Sequence, residues 1–528
     1  MAIAPARTGA FDMLDLIGNG VSRQYPGTRD VLGPNLTVLF VGFNPGLRSG
    51  ETGHHFAGRG NRFWDLLASS GLAPRRFFPA EDRLMLSLGY GLTNIVARTT
   101  PGSGDLRPPE LRDGAIALRR KVDITAPQIV CYLGKGVYAS AIGSDGAGLD
   151  FGLQPGGIFP GSFDFVAPSS SGRATIPYAD KQAIFGALAG LVGQVTARLR
   201  EAWQSGFVSN VIEQALAMRS GETLTVICDE ARDELAESLA RGAARAGCRF
   251  DRRRFGDEGL SRLGDSDGVV LAPSPAAWRE PRLRHLLRLP DGPAGRLRSL
   301  FLPPQPLESL YRVCSVPYRD HVAFHDRLMV TLRSARQVRV TSPAGTDISF
   351  HVRPFVAHTF SARQPGQFML GIPGEVTTAP VEASTEGRLV FDVAVYLGPL
   401  SESMAFEIRD GRVTSVEREG RYDGSGAPPD PVLDRFLAEL EERATGWPDA
   451  LRVGEFGLGT NASARYSDSY MENEAVMGSC HFDFGSSAQF GGVLEGPHHG
   501  GGVVSRPTVK VDGVTILKDG LYVDRNLA

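Results

Sequence analysis

The feature that most constrains the fold is the alternation of apolar strands with helical segments over the first two hundred residues. NLTVLFVGF at 35–43 and PQIVCYLG at 127–134 are apolar throughout, which is typical of strands buried on both faces. NRFWDLLASSGL at 61–72 has helical spacing. Residues 163–173 predict a strand running into a polar loop, and residues 178–203 predict a long closing helix. This alternation predicts an α/β fold with a mainly parallel sheet.

The pattern changes twice along the 528 residues, which are too many for one core. A helix, turn, strand and helix start afresh after 204–208, and short strands with glycine turns dominate from about 336. We therefore expect a first domain at 1–205, an α/β part at 206–335 and a β-rich part at 336–528.

Composition and charge narrow the functional classes. Hydrophobic residues make up 42% and charged residues 22%, as in ordinary soluble proteins, and no apolar run approaches the roughly 18 residues of a membrane span. The five cysteines are far apart and form no CxxC pair, which favours a cytoplasmic protein without a disulfide framework. The net charge is −3, but basic residues outnumber acidic ones in the first 200 residues only. The first 200 residues could therefore bind a polyanion such as nucleic acid.

Three polar loops follow strands or apolar segments at the front, where ligands of open α/β sheets bind. GFNPGLRSGETGHHF contains Asn44, GLTNIVARTTPGS at 91–103 contains Asn94, and APSSSGR occupies 167–173. No Asp or His stands beside Asn44 to take a proton. An amide can instead position a water molecule, provided that the leaving group carries the developing negative charge.

These loops resemble those of the mismatch-specific uracil/thymine DNA glycosylases, within the uracil-DNA glycosylase superfamily. NPGL, GHHF and NRFW match the first motif region, and LTNIVARTTPGSGDL, FGLQP, PSSSGR and ADK match the thymine branch. The resemblance covers about residues 31–200. It implies a three-layer domain that flips a mispaired uracil, thymine or modified pyrimidine out of double-stranded DNA and hydrolyses its N-glycosidic bond. It also implies no cofactor for this step and a nucleoid association when the protein is on DNA.

The resemblance implies roles for individual residues. Asn44 would orient the attacking water, and His55 would line the pocket near the sugar or the base. Phe56 would stack on the extruded base, and Asn94 would hydrogen-bond its polar edge. Ser49 would lie in the base pocket. Ser169, Ser170 and Ser171 would bind phosphates, and Arg173 would enter the gap that the flipped base leaves in the duplex.

Two positions depart from the thymine-type pattern. Ser49 stands where that pattern has a small apolar residue, so the preference among uracil, thymine and larger cytosine adducts stays open. Gly172 replaces an alanine, and we expect it to loosen the loop that carries Arg173. No lysine in the motifs is assigned a Schiff-base role, so a monofunctional enzyme without lyase activity is expected.

The back half presents carboxylates and imidazoles on separate glycine-rich turns, namely Glu375, Glu455, His481, His498 and His499. Such groups could gather around Zn, Mn, Co or Fe, although they could equally be incidental residues of the turns. Their spacing alone is weak, because no pair lies on one helical face.

These segments resemble the aminopeptidase T-like metallopeptidases, which have a two-metal site, over roughly 209–525. The resemblance implies metal-ligand roles for Glu375, Glu455, His481 and His499. The family closes its ligand set with His-x-Asp, whereas Gly501 stands at the place of that aspartate. The family's tyrosine is also absent, because position 488 is alanine.

Three alternatives therefore stay open for the back half. It could be a peptidase with a substitute ligand such as Asp483, or a mononuclear metalloenzyme of another kind, such as the ring-opening dihydroxypyridine dioxygenases, which are similar in fold. It could also be a metal-poor module for homodimerisation or for binding a peptide or small molecule. The glycosylase is accordingly the main predicted activity.

Overall fold

The computed structural model describes residues 27–255, 263–277, 297–358, 360–419, 430–496 and 499–523. The chain divides into two compact units between Val195 and Thr196. This division falls inside the helix Tyr178–Ser209, which continues without a break past the boundary expected at residue 205.

A five-stranded sheet forms the centre of the first unit. Its strands are β1 (Val38–Gly42), β2 (Tyr90–Asn94), β3 (Ile129–Leu133), β4 (Gly152–Leu153) and β5 (Phe163–Ala167). Its helices are α1 (Leu47–Thr52), α2 (Phe63–Ser69), α3 (Pro108–Thr125), α4 (Lys135–Ile142) and α5 (Tyr178–Ser209). The strand order is β2-β1-β3-β5-β4, and every pair is parallel except β4 with β5. The predicted mainly parallel sheet is confirmed.

Helices cover both faces of this sheet. Leu39 and Val41 of β1 pack with Leu118 of α3 and other residues of α3 and α4 in one buried cluster. Phe40 points to the opposite face, where its ring centroid lies 5.3 Å from that of Phe63 on α2. Both faces of β1 are therefore buried, which explains why its sequence is apolar at every position. The predicted three-layer arrangement is confirmed.

The second unit contains three sheets. Its strands are β6 (Thr223–Cys228), β7 (Arg249–Arg254), β8 (Gly268–Ala272), β9 (Arg298–Phe301), β10 (Gln337–Thr341), β11 (Asp347–His351), β12 (Val356–His358), β13 (Phe368–Leu370), β14 (Glu375–Thr378), β15 (Glu386–Phe391), β16 (Ala394–Val395), β17 (Gly398–Pro399), β18 (Ser403–Arg409), β19 (Arg412–Glu419), β20 (Val453–Gly459), β21 (Cys480–Gly485), β22 (His499–Val504), β23 (Thr508–Val511), β24 (Val514–Lys518) and β25 (Leu521–Tyr522). Its further helices are α6 (Asp233–Arg245), α7 (Leu307–Cys314), α8 (Tyr318–Leu332), α9 (Pro431–Gly446) and α10 (Tyr470–Ala475).

The three sheets differ in direction. The sheet β13-β9-β8-β6-β7 is parallel, whereas β19-β18-β15-β11-β10-β23-β24-β25 and β12-β14-β20-β21-β22-β16-β17 are antiparallel. The region beyond residue 336 is β-rich, as predicted. However, β13 pairs with β9 and so completes the sheet of the preceding part. The expected parts 206–335 and 336–528 therefore share a sheet, because a strand distant in sequence supplies its edge.

The two antiparallel sheets share a large apolar core. Phe350 of β11 lies with Phe456 of β20 and Phe482 of β21, at ring centroid distances of 5.1 and 5.6 Å. Each of these strands buries alternate side chains against this core and turns the others to its opposite face. Among the described helices of the protein, none is long and apolar enough to cross a bilayer.

Candidate functional sites

The loops after β1 and β2 lie side by side at the carboxyl edge of the first sheet. Gly42 and Asn94 are register partners at the ends of the two strands. Backbone pairing continues beyond them, because Ile95 N donates to Gly42 O at 2.9 Å and later residues of the two loops also bond. Asn44 and Asn94 are thus carried on two loops that are joined by backbone hydrogen bonds.

The amide of Asn44 has a fixed orientation. Its Nδ2 donates to Pro45 O at 3.1 Å, Arg98 O at 3.0 Å and Thr100 Oγ1 at 2.7 Å. Thr100 uses its hydroxyl proton on Gly102 O at 2.7 Å, so Thr100 Oγ1 acts as the acceptor from Asn44. The oxygens of Pro45 and Arg98 can only accept hydrogen bonds, and the Thr100 hydroxyl has already donated its proton. If the Asn44 amide were flipped, its Oδ1 would therefore lie against three acceptors and form no hydrogen bond with them. Asn44 Oδ1 therefore points away from this group and, within the described residues, has no donor.

Asn94 and Phe56 approach each other beside Gly42 at the end of β1. A Cβ at Gly42 would lie 2.5 Å from Asn94 Oδ1 and 3.9 Å from Phe56 Cε1, so glycine at position 42 is what allows the Asn94 amide to lie against β1. The ring of Phe56 stacks on Phe63 with centroids 4.0 Å apart. An amide and an aromatic ring are the groups that a flipped pyrimidine requires for hydrogen bonding and stacking.

Phe56 adopts a strained backbone conformation with φ of +54°, in the left-handed region that large side chains rarely occupy. Two side chains hold the neighbouring amides in place. His55 N donates to Asp82 Oδ2 at 2.9 Å, and Ala57 N donates to Ser49 Oγ at 3.0 Å. Ser49 therefore braces the turn that presents Phe56, in addition to the pocket role implied by resemblance.

Asp82 was missed by sequence analysis because it lies outside the matched motifs. It is buried, and burial raises the pKa of its carboxyl; hydrogen bonds and charge from His54 and His55 outweigh burial and hold that pKa below its ordinary value. The imidazole of His55 is also buried, with Nε2 2.9 Å from Arg29 O. The ring of His55 thus has a backbone partner, and its centroid lies 5.8 Å from that of Phe56.

The loop after β5 approaches the two other loops. Arg62 N donates to Ser170 O at 2.8 Å, and Arg173 Nη1 donates to Pro101 O at 2.8 Å. Ser169 and Ser171 are half-buried, and Arg173 is exposed. The structure therefore brings the predicted phosphate and wedge residues to the same edge as Asn44.

Gly172 has a packing role that differs from the expected loosening. A Cβ at this position would lie 2.7 Å from Gly60 O and 3.2 Å from Gly60 Cα, which is too close without a shift of backbone. The glycine allows the Arg173 loop to pack directly against the loop at residue 60. Its effect is close contact between loops rather than slack.

Strand pairing gathers the predicted metal ligands of the second unit. Glu375 begins β14, Glu455 lies on β20, His481 on β21 and His499 begins β22, and these strands are neighbours in one sheet. Ligand atoms of Glu375, Glu455 and His481 all lie within 4.8 Å of one another, and the same holds for Glu455, Asp483 and His499. His498 lies outside the described residues.

Asp483 lies directly opposite Gly501, the position at which the resemblance implies an aspartate. It is the register partner of both Glu455 and Gly501. A Cβ at Gly501 would lie 2.7 Å from Asp483 Oδ1 and 1.9 Å from Phe482 O. A side chain at position 501 would therefore overlap both the Asp483 carboxylate and the backbone of β21.

The electrostatics of the cluster suit a cation. His499 Nε2 lies 2.6 Å from Glu455 Oε2 and 2.7 Å from Asp483 Oδ2, and His481 Nε2 lies 3.6 Å from Glu455 Oε1. Burial lowers the pKa of His481, but Glu474, Glu455 and Glu375 raise it to about 10. Protonated imidazoles thus balance the negative charge of the carboxylates. A divalent ion that prefers oxygen and nitrogen ligands could balance this charge instead of the protons.

Several polar residues around this cluster were missed by sequence analysis. Tyr470 Oη donates to Asp483 Oδ1 at 2.6 Å, and burial raises the pKa of Glu474 well above its ordinary value. His321 and His325 are buried one turn apart on α8, with ring centroids 4.2 Å apart. Their spacing of four is visible in the sequence, but burial of both rings is set by packing between distant elements.

Comparisons with known proteins match two separate regions of the chain. Residues 30–189 match the family model of the uracil DNA glycosylase superfamily, so this region is a domain of that superfamily. Residues 296–524 match the family model of 2,5-dihydroxypyridine 5,6-dioxygenase, which sequence analysis kept as an alternative to the aminopeptidases.

Two solved structures are similar to this chain. A 2,5-dihydroxypyridine dioxygenase from Pseudomonas putida KT2440 is 19% identical, with 63% of this chain and 99% of that chain covered and a TM-score of 0.46. Wild-type AmpT from Thermus thermophilus is 13% identical, with 61% and 99% covered and a TM-score of 0.43.

The overlap between a side chain at position 501 and the Asp483 carboxylate can be tested by substituting both positions. Gly501→Asp alone should destabilise the second unit by roughly 1–3 kcal/mol, because the new side chain overlaps Asp483 and the backbone. The double variant Gly501→Asp, Asp483→Gly should recover only the part of this loss that comes from the Asp483 carboxylate, because the contact with Phe482 O remains. Urea unfolding of the wild type and both variants measures it. Equal destabilisation of the single and double variants would show that the two positions do not share one space.

Proposed function

We propose that the uracil DNA glycosylase superfamily domain of this chain hydrolyses the N-glycosidic bond of uracil mispaired with guanine in double-stranded DNA. The observation that carries the proposal is the fixed amide of Asn44, whose Oδ1 is left as an acceptor on a loop that is hydrogen-bonded to the loop after Asn94. Thymine and modified pyrimidines opposite guanine are further candidate bases. A mispaired base is favoured because less energy is needed to unstack it.

The chemistry follows from these groups. Water donates a hydrogen bond to Asn44 Oδ1, and its oxygen faces C1′ of the flipped nucleotide. The bond between C1′ and the base breaks, and its electron pair leaves with the base. The amide of Asn94 stabilises the charge that develops on the base. The water oxygen then forms the new bond to C1′ and loses its proton to solvent, which leaves an abasic site.

This arrangement positions water without deprotonating it. A general base in the same place would typically add about 10²- to 10⁴-fold to the rate. We therefore propose a slow, monofunctional glycosylase in which departure of the base, rather than activation of water, limits the range of substrates. Bases that leave readily as anions should react fastest.

The first test uses a labelled duplex with one central G·U pair, then G·T, followed by alkali to reveal abasic sites. Asn44→Ala should lower the single-turnover rate by at least about 100-fold, because the water loses its position, while DNA binding is retained. Gln182→Ala is the matched control, since its amide bonds Ser69 O outside the loops. Equal loss of binding and cleavage in Asn44→Ala would contradict the water-positioning role.

A second test separates positioning from base catalysis. Asn44→Asp would supply a carboxylate, yet one of its oxygens would replace Nδ2 and face Pro45 O and Arg98 O. These contacts repel, so the side chain should turn away or take up a proton. We expect Asn44→Asp to release uracil more slowly than the wild type at pH 7. A faster rate in the same single-turnover assay would show that only a base was lacking.

We further propose that the second unit binds one divalent metal ion through carboxylates and imidazoles of Glu375, Glu455, His481, Asp483 and His499. The two overlapping ligand groups around Glu455 support this proposal. When bound, the ion would act as a Lewis acid or hold a reactant, while the side chains orient it and exclude water. Hydrolysis of peptides and ring opening of a dihydroxypyridine are the two candidate reactions.

Metal analysis of the purified protein tests this proposal directly. The wild type should hold close to one Zn, Mn, Co or Fe per chain, and His481→Ala should lose most of it because one imidazole is removed. His351→Ala, which changes an exposed histidine of β11, should keep the metal. Metal content below about one tenth of the protein in the wild type after growth with each metal would favour the binding or homodimerisation module instead.

A further inference from the structure

Two histidines on α8 are buried in contact with each other. His321 and His325 stand at the two ends of the sequence HVAFH, so they lie four residues apart on one face of the helix. His321 is 3% exposed, and His325 is fully buried. Their ring centroids are 4.2 Å apart. The helix therefore presents two adjacent imidazoles to the interior of the second unit.

Most ring nitrogens of this pair lack a hydrogen-bond partner. Among the described residues, neither nitrogen of His321 has one, and Nδ1 of His325 has none either. Buried polar atoms are normally satisfied, and an unsatisfied one often marks an ordered water or an ion. These nitrogens are completely enclosed, which leaves no room for a water molecule at the usual hydrogen-bond distance of about 2.9 Å. A metal ion binds imidazole nitrogen at about 2.0 Å and therefore needs less space.

The remaining nitrogen, Nε2 of His325, lies 2.6 Å from Thr460 Oγ1. Thr460 is itself held in place, because its backbone N donates to Gly374 O at 2.8 Å. When Nε2 carries the proton and donates it to Thr460, Nδ1 of His325 keeps a lone pair for an ion. A metal-binding histidine usually donates its second N–H in this way, which fixes its ring and its tautomer. Thr460 thus prepares His325 to act as a ligand.

Both imidazoles are neutral at pH 7. Burial lowers the pKa of His321 to about 4, although the nearby backbone of Thr460 raises it. Burial, together with the charges of His321 and His358, lowers the pKa of His325 to about 3. The neutral imidazole is the form that binds metal. Within the described ranges, no third histidine, cysteine or carboxylate forms a ligand group with this pair, so an ion here would have neutral ligands only.

This ligand set discriminates among metal ions. Zn²⁺ in a structural site is almost always four-coordinate. A divalent ion without carboxylates is also costly to bury, because the desolvation energy grows with the square of the charge. Cu⁺ carries a single charge, is stable at low coordination number and binds imidazole well. The carboxylate-rich groups around Glu455 favour harder ions, so the two sites should take different metals.

We propose that His321 and His325 bind one Cu⁺ ion, separate from the metal site at Glu455. The ligands are Nδ1 of His325 and one ring nitrogen of His321. Thr460 is a positioning residue, which accepts the hydrogen bond from His325 Nε2. The bound ion joins two successive turns of α8 and, through Thr460, fixes this helix to the end of β20.

The test titrates Cu⁺ without oxygen into the full-length protein, in competition with the coloured chelator bicinchoninate. The wild type should take one Cu⁺ per chain from the chelator. His325→Ala should weaken binding by at least about 100-fold, because a ligand is lost, and Thr460→Val should weaken it by about tenfold, as changes beside a ligand do. His351→Ala is the control, because it changes an exposed histidine of β11 and should leave binding unchanged. Circular dichroism checks that each variant is folded.

X-ray absorption of copper in the wild type gives a second measurement that does not depend on any variant. Its nearest shell should contain nitrogen at about 2.0 Å, with the outer scattering that imidazole rings produce. A sulfur shell at about 2.3 Å would place the ion on a cysteine and overturn the proposal. Failure of the folded wild type to take up Cu⁺, or equal affinity in a folded His325→Ala protein, would overturn it as well.

The copper site can be told apart from the metal site at Glu455. His481→Ala should keep its Cu⁺ while it loses Zn, Mn, Co or Fe. Copper that is lost in His481→Ala and kept in His325→Ala would place the ion among the carboxylates and refute the histidine pair. These results do not depend on whether the first unit releases uracil.

Discussion

The parallel register of β1 and β2 is the constraint on which the first site depends. It places Gly42 level with Asn94, and the backbone bonds that continue past the strand ends keep the two following loops together. Asn44 then finds two of its three acceptors, Arg98 O and Thr100 Oγ1, on the neighbouring loop. The orientation of one amide is therefore a consequence of how two strands pair.

The second unit reaches a comparable result with antiparallel strands. Alternate residues of β20 and β21 face one side of their sheet, so Glu455, His481 and Asp483 share a face while Phe456 and Phe482 enter the core. Glycines on that face leave room for the long side chains, as at Gly457, where a Cβ would lie 2.1 Å from the ring of His481. Small residues thus set the spacing of the functional ones in both units.

Much of the fold and part of each site could be predicted from sequence. Apolar runs such as 35–43 identify strands because burial on both faces leaves a local pattern, and the matched motifs pointed to Asn44 and Asn94. Glu375, Glu455, His481 and His499 were also proposed from sequence, and strand pairing brings them together.

What could not be predicted depends on contacts between distant segments. Asp82 braces the turn at Phe56 from a part of the chain with no motif, and β13 joins a sheet whose other strands precede it by about seventy residues or more. Gly172 was expected to loosen its loop, because its close contact with Gly60 can be seen only in the structure. The position of Asp483 opposite Gly501 likewise follows from register, which a one-residue slip would change completely.

The crowding of acids around His481 has a consequence for the amount of folded protein. Glu375, Glu455, Glu474 and Asp483 are brought together in the folded second unit, and the unfolded chain would disperse them. An ion that binds the folded form alone stabilises it by mass action, by about 2.7 kcal/mol at a hundredfold excess over its dissociation constant. The abundance of the protein in a cell would then follow the local supply of that ion.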